Sequence, residues 1–160
     1  MNAPIASLDE LARSLPPRGR LMGLDLGTKT IGLAISDVER RLATPVDTIQ
    51  RVKFGKDVAA LTKLADAREA IAFVIGLPLN MDSTEGPRAQ ATRAFVRNCA
   101  SLDARPFIFW DERLSTAAVT RSLIDQDVSR ARRAEVVDRM AAAYILQGAL
   151  DRLARLARGD

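Results

Sequence analysis

Apolar residues in this chain fall into short blocks and helical repeats separated by polar turns. Residues 21–26 form a short apolar run that carries Asp25 at its end. A tight Gly27-Thr28-Lys29 turn leads to a second run, 30–36, and the pair predicts a β-hairpin. After a polar turn at 37–41, residues 45–50 (Val46, Thr48, Ile49) read as a weaker third strand. Over 56–69, Val58, Leu61, Leu64 and Ala65 recur at helical spacing. Residues 71–75 have strand length and stop at Gly76 and Pro78. A polar loop, 79–86, precedes Pro87, which suits the first position of a helix running to about residue 101. Residues 106–110 are apolar again and run into Asp111-Glu112-Arg113. Ser115 or Thr116 caps a helix to about 124, 125–133 is a polar arginine-rich loop, and a last helix spans about 134–157. At the front, Ser7-Leu8-Asp9-Glu10 has the form of a capping box, and Pro16-Pro17 closes the short helix it opens.

A three-stranded meander followed by alternating helices and strands predicts an α/β protein with a mixed sheet covered by helices. The 160 residues suit a single domain, here 20–158, with 1–19 as an appendage. No apolar run is long enough to span a membrane. The first twenty residues lack the apolar core of a secretory signal, so the cytoplasm is the expected location. The one cysteine, Cys99, rules out an internal disulfide and any zinc site built on several cysteines.

The chain contains no histidine. That removes Ser-His-Asp and Cys-His triads and HExxH metal sites, and leaves hydrolytic chemistry to carboxylates, metals, Lys or Tyr. A net charge of +4, dominated by arginine, permits a nucleic-acid partner without requiring one.

The candidate chemistry lies in three acids. Asp25 ends one predicted strand and Asp111-Glu112 ends another, and open α/β sheets place their sites at the carboxyl ends of strands. Gly23 and Gly27 flank Asp25 and leave room beside it. Asp138 falls on a helix face shared with Ala134, Ala141, Ala142, Ile145 and Ala149, where a core residue is expected and a carboxylate is costly. Converging carboxylates suit Mg²⁺ or Mn²⁺, and a pair of such ions roughly 4 Å apart activates water and steadies the leaving oxygen of a phosphodiester. Each acid also has an ordinary reading. Asp25 could fix the Gly27 turn, Asp111-Glu112-Arg113 could be a salt-bridged helix entrance, and Asp138 could pair with Arg113 or Arg133. Asp37, Asp47, Asp82 and Asp103 read as turn residues. Val136, Val137, Met140, Tyr144 and Ile145 make the last helix apolar around its middle, so it is either deeply buried or part of a homodimer interface; monomer and homodimer stay open.

Four segments in order narrow the choice: residues 23–37 (GLDLGTKTIGLAISD), 74–82 (VIGLPLNMD), 111–116 (DERLST) and 137–142 (VDRMAA). Together they resemble the YqgF/RuvX family of pre-16S rRNA nucleases and Holliday junction resolvases, over roughly residues 20–152. The resemblance implies an RNase H-like fold, with a five-stranded mixed sheet flanked by helices. It implies Asp25, Glu112 and Asp138 as catalytic and metal-binding acids, with Mg²⁺ or Mn²⁺, and Lys29, Asn80, Arg88 and Arg113 in reach of substrate. The implied substrate is structured nucleic acid, precursor 16S rRNA ahead of DNA four-way junctions, with the assembling ribosomal particle as a partner. Two positions depart from the family pattern: Lys29-Thr30 replaces Lys-Arg, and Asp82-Ser83-Thr84 replaces Asp-Gly-Ser, which predicts a stiffer loop. Two other readings stand beside this one. An actin-like or sugar-kinase-like phosphotransferase shares the Asp25-Leu26-Gly27-Thr28 signature but needs a second domain. An RNA- or ribosome-binding module with a vestigial site is equally compatible with the charge.

Overall fold

The structure, a computed structural model, describes residues 5–114 and 130–159, with side chains described for 7–114 and 139–159. The elements are β1 (Ile5–Ala6), α1 (Leu8–Ser14), β2 (Arg20–Leu26), β3 (Thr30–Ser36), β4 (Ala43–Gln50), α2 (Phe54–Ala67), β5 (Ala70–Leu77), α3 (Pro87–Cys99) and β6 (Phe107–Asp111). A single 3₁₀ turn (Glu112–Leu114) follows β6, and the long helix α4 (Arg130–Ala157) ends the fold. The predicted strands and helices are present with boundaries shifted by a few residues. The helix expected from Ser115 or Thr116 lies outside the described residues. The final helix begins at Arg130 rather than Ala134, because Arg and Ala are strong helix formers and nothing between 130 and 134 breaks the pattern.

The strands form one sheet in the order β1-β6-β5-β2-β3-β4. β2, β5 and β6 are mutually parallel neighbours, and β3 and β4 complete the antiparallel meander. The mixed sheet of five strands is thus the expected one, with a two-residue sixth strand, β1, paired parallel to β6 at the edge. A strand that short leaves no readable pattern. Pro45 is tolerated in β4 because β4 is the other edge, and a register shift beside it absorbs the missing N–H.

Alternation along the strands divides the core in two. Met22, Leu24, Phe73, Ile75 and Phe107 face Val58, Leu61 and Ala65 of α2 and Phe95, Val96 and Cys99 of α3. Leu21, Ala72, Val74, Ile108 and Trp110 face the other way, onto Ala142, Ile145, Leu146, Ala149 and Leu150 of α4. Cys99 is a buried core residue, and burial pushes its thiol up to about 12. Ile145 is fully buried while Met140 and Tyr144 are half-buried. Ser7 caps α1 by accepting the Glu10 N–H at 3.1 Å, and Leu11 is buried against α4. No described helix is long and apolar enough to cross a membrane.

Helix α4 lies unusually close to the sheet. A Cβ on Gly23 would stand 2.7 Å from Cβ of Leu146 and 2.9 Å from the Ala142 carbonyl oxygen. A Cβ on Gly148 would stand 2.8 Å from the Trp110 ring. We expect Gly23→Ala to force α4 off its seat and lower the unfolding free energy by about 1–3 kcal/mol. Gly55, in α2, has nothing within 4 Å of its Cβ position, so Gly55→Ala is expected to raise stability by about 0.4–1 kcal/mol. Urea titrations of the two variants beside the parent check both signs.

Candidate active site

The carboxyl ends of β2, β5 and β6 lie side by side at one edge of the sheet, with β5 in the middle. Asp25 comes one residue after the Leu24–Ile75 pair, level with Gly76 on β5. It shares a sheet face with Leu21 and Gly23, the face that α4 covers, and is only 2% exposed. Gly76 pairs with Trp110, and Glu112 follows Trp110 by two residues. The Glu112 side chain folds back over Gly76: Cγ and Cδ lie 3.0 and 3.1 Å from where a Gly76 Cβ would stand, and Ile145 Cδ1 lies 2.6 Å from it. The missing side chain of Gly76 makes room for Glu112 and for α4. The strand spacing of about 4.8 Å sets the lateral step from β5 to β2, so Asp25 and Glu112 are brought to the same corner.

Asp138 belongs to α4, one turn before Ala142, the residue whose carbonyl meets Gly23. Its side chain is outside the described residues, as are those of Arg130–Arg133. The far end of α4 meets the opposite end of the sheet, where Leu150, Leu153 and Leu156 line a cavity with Glu39, Arg40 and Arg41. The early turns of α4, Asp138 among them, therefore lie toward the Asp25 end. No cluster of three or more acids, His or Cys able to hold a metal occurs among the described residues, a set that excludes the Asp138 side chain.

The turn after Asp25 is held from outside. Gly27 N–H donates to Thr30 O (2.8 Å), and Arg51 donates from Nη1 to Gly27 O (2.6 Å) and from its backbone N–H to Lys29 O (2.8 Å). Arg51 in turn sits 3.7 Å from the buried Asp57 carboxylate, which also accepts the Val52 N–H. Sequence reasoning missed this clamp, since an aspartate in the first turn of a helix is unremarkable on dipole grounds. Thr28 and Lys29 are exposed at the tip of the turn.

Arg113 was expected to meet substrate. Its guanidinium instead forks onto Asp111 (Nε–Oδ1 3.0 Å, Nη2–Oδ2 2.7 Å) and reaches the loop 79–85, donating from Nη1 to Asn80 O, Met81 O and Ser83 Oγ at 3.3, 3.2 and 3.0 Å. Asn80 spends its amide on Thr84 Oγ1 (2.9 Å). Ser83 stands at φ 72°, where the family pattern has glycine. Asp82 accepts from Thr84 N and Oγ1, confirming it as a turn residue, and Asp37 does the same for Arg41 and Leu42 N–H. Asp47, expected in a turn, lies inside β4 opposite Leu33. Arg88 is exposed in the first turn of α3, whose N-cap, Gly86, offers no side chain.

Three comparisons bear on this arrangement. A family model described as RuvX, Holliday junction resolvase, matches residues 19–152. A protein of Methylocella silvestris named "Putative pre-16S rRNA nuclease" is 67% identical over 98% of this chain and 97% of its own length. A protein of Beijerinckia indica with the same name is 66% identical over 96% of this chain and 93% of its own length. Among solved structures, Thermus thermophilus RuvC in complex with a Holliday junction superposes with a TM-score of 0.53 at 14% identity, covering 85% of this chain and 96% of RuvC. That likeness establishes the RNase H-like fold expected from the sequence.

The Asp111–Arg113 fork carries a pH signature. Arg113 hydrogen bonds hold the Asp111 carboxyl below the ordinary carboxylate range. A group depressed on folding adds stability above its unfolded value, about 4, and loses it as pH falls through the folded value. Asp111→Asn is therefore expected to melt below the parent above about pH 4, with the gap closing at lower pH. Thermal melts from about pH 2 to 7 check this; a gap that persists undiminished at the acid end would contradict it.

Proposed function

The chain belongs to the RuvX family, and on that premise we propose that it is a metal-dependent endonuclease that hydrolyses phosphodiester bonds in 5′-end maturation of precursor 16S rRNA. The observation that carries the reading is the fold-back of Glu112 over Gly76, beside the buried Asp25, at the carboxyl ends of parallel strands. In this reading Asp25, Glu112 and Asp138 hold Mg²⁺ or Mn²⁺. The donor set fits: all three are carboxylates, the hard oxygen ligands these ions take, and the absent Gly76 side chain lets Glu112 fold back across β5 toward the Asp25 end of the sheet. Divalent ions held there supply Lewis-acid polarisation of the phosphoryl oxygen and acidify water at neutral pH.

The chain's own residues have separate tasks. The buried Asp25 has little room to move, so it fixes one fixed point of the centre. Glu112, on a 3₁₀ turn at the strand end, supplies a longer and more adaptable arm. Without histidine, proton transfer falls to carboxylates and water. Lys29, at the tip of its clamped turn, and Arg88, at the start of α3, are exposed and suit phosphate contacts on either side of the reacting bond. Asn80 and Arg113 act one step removed, by shaping the loop between these elements.

The relatives' printed name favours RNA. The family model's description favours a second substrate, the four-way DNA junction. The assembling ribosomal particle is the natural partner of the RNA reading. A labelled 5′ segment of precursor 16S rRNA and a DNA junction, each with Mg²⁺ or Mn²⁺, separate the two. Asp25→Asn, Glu112→Gln and Asp138→Asn are each expected to cut the RNA on the order of a hundredfold more slowly or worse, with circular dichroism unchanged. Variants that cut as fast as the parent would remove the triad. Cutting of the junction alone would move the substrate to DNA, and tight binding with no cutting by the parent would leave a binding module.

A further inference from the structure

We propose that the loop 79–85 is a rigid wedge whose Met81 side chain inserts between neighbouring bases of the nucleic acid, next to the phosphodiester presented to Asp25 and Glu112. This rests on the nucleic-acid reading given above. Met81 is 89% exposed, more than any other large apolar side chain described. Single apolar residues on a surface are ordinary. The backbone beneath this one is not.

Leu79 and Glu85 pair as an isolated antiparallel bridge, closing the loop at its base. Inside it, Asn80 N–H donates to Thr84 O (2.9 Å) and Ser83 N–H to Asn80 O (2.9 Å). Thr84 donates to Asp82 from N–H (3.0 Å) and from its hydroxyl (2.6 Å). Arg113 then binds the carbonyls of Asn80 and of Met81 itself. Ser83 holds a left-handed φ of 72°, a strain that a serine adopts only where its surroundings impose it. The Met81 backbone is thus pinned on both sides while its side chain projects into solvent. Such bracing removes in advance the cost of ordering the loop backbone.

The bracket also fixes where the wedge stands. The loop leaves β5 just beyond Gly76, over which Glu112 lies, and Arg113 is the residue after Glu112. One guanidinium therefore ties the tip to the strand that carries an acid. The occupant follows from the chemistry of the tip. The neighbours of Met81 along the loop, Asn80, Asp82, Ser83 and Thr84, are polar, unlike the apolar patch a protein partner buries. The Met81 side chain is unbranched and polarisable, and methionine is among the side chains that enter base steps and unstack them. Unstacking beside the reacting bond frees the strand to turn its phosphate toward the carboxylates.

The test uses the full chain and a precursor 16S rRNA 5′ segment carrying 2-aminopurine at each position in turn through the region the protein protects, in Ca²⁺ to separate binding from cutting. The parent and Met81→Leu should raise fluorescence at one or two adjacent positions; Met81→Ala should lose that rise and bind roughly tenfold more weakly. An equal rise with Met81→Ala, or no rise at any position with the parent bound, overturns the wedge. Cleavage is read separately in Mg²⁺. A parent that fails to cut while the fluorescence difference persists sinks the nuclease reading and leaves the wedge standing.

Discussion

The seat of α4 on the sheet is the contact from which the rest of the corner takes its dimensions. Helix and strand meet there at backbone distance, with the Ala142 carbonyl at 2.9 Å from the position a Gly23 side chain would need. Gly76 and Gly148 repeat the condition against Ile145 and Trp110. Protein interiors are packed too tightly to absorb an added methyl without displacement, so these glycines set the height of the helix. That height decides how near Asp138, one turn before Ala142, can come to Asp25, two residues after Gly23. It also decides whether a side chain as long as Glu112 can fold between sheet and helix. Stability and site geometry are therefore the same constraint seen from two sides.

Much of this was readable in the sequence, and the parts that were not share a cause. Apolar runs at 21–26, 30–36, 71–75 and 106–110 became β2, β3, β5 and β6, because burial on both faces writes continuous apolar blocks. Asp25 and Glu112 were legible as acids ending strands, and the sheet order, with β5 between β2 and β6, puts both strand ends at one corner. The side-chain roles of Arg113, Asn80 and Asp57 were not legible. Each depends on partners 24 or more residues away or on the partner's orientation, and local pattern holds neither: Arg113 meets Ser83 thirty residues back, and Asp57 serves Gly27 through Arg51. Gly76 illustrates the middle case. A glycine two residues before a proline marks a strand end, yet only the sheet order reveals that its empty place belongs to Glu112.

A centre made of carboxylates faces an electrostatic difficulty that histidine-based sites avoid. Like charges repel, and nearby arginines are drawn in to neutralise them, which in the proposed reading would fill the space that cations and phosphate need. Among the described residues, three arginines around this corner have carboxylates of their own. Arg51 has Asp57, Arg113 has Asp111, and Arg93 has Glu85, whose two carboxylate oxygens share its Nε–H, while its guanidinium lies 4.8 Å above the Phe109 ring. Each pair also carries a mechanical duty: the first holds the Gly27 turn, the second the 79–85 loop, the third the base of that loop against α3 and β6. The Arg93–Glu85 and Arg113–Asp111 pairs are partly exposed, so their contribution to overall stability is modest. Their value lies in where they place positive charge. The fork of Arg113 on Asp111 is bidentate, which keeps that guanidinium in one orientation, and a guanidinium held that way shapes the approach to the acids without entering it.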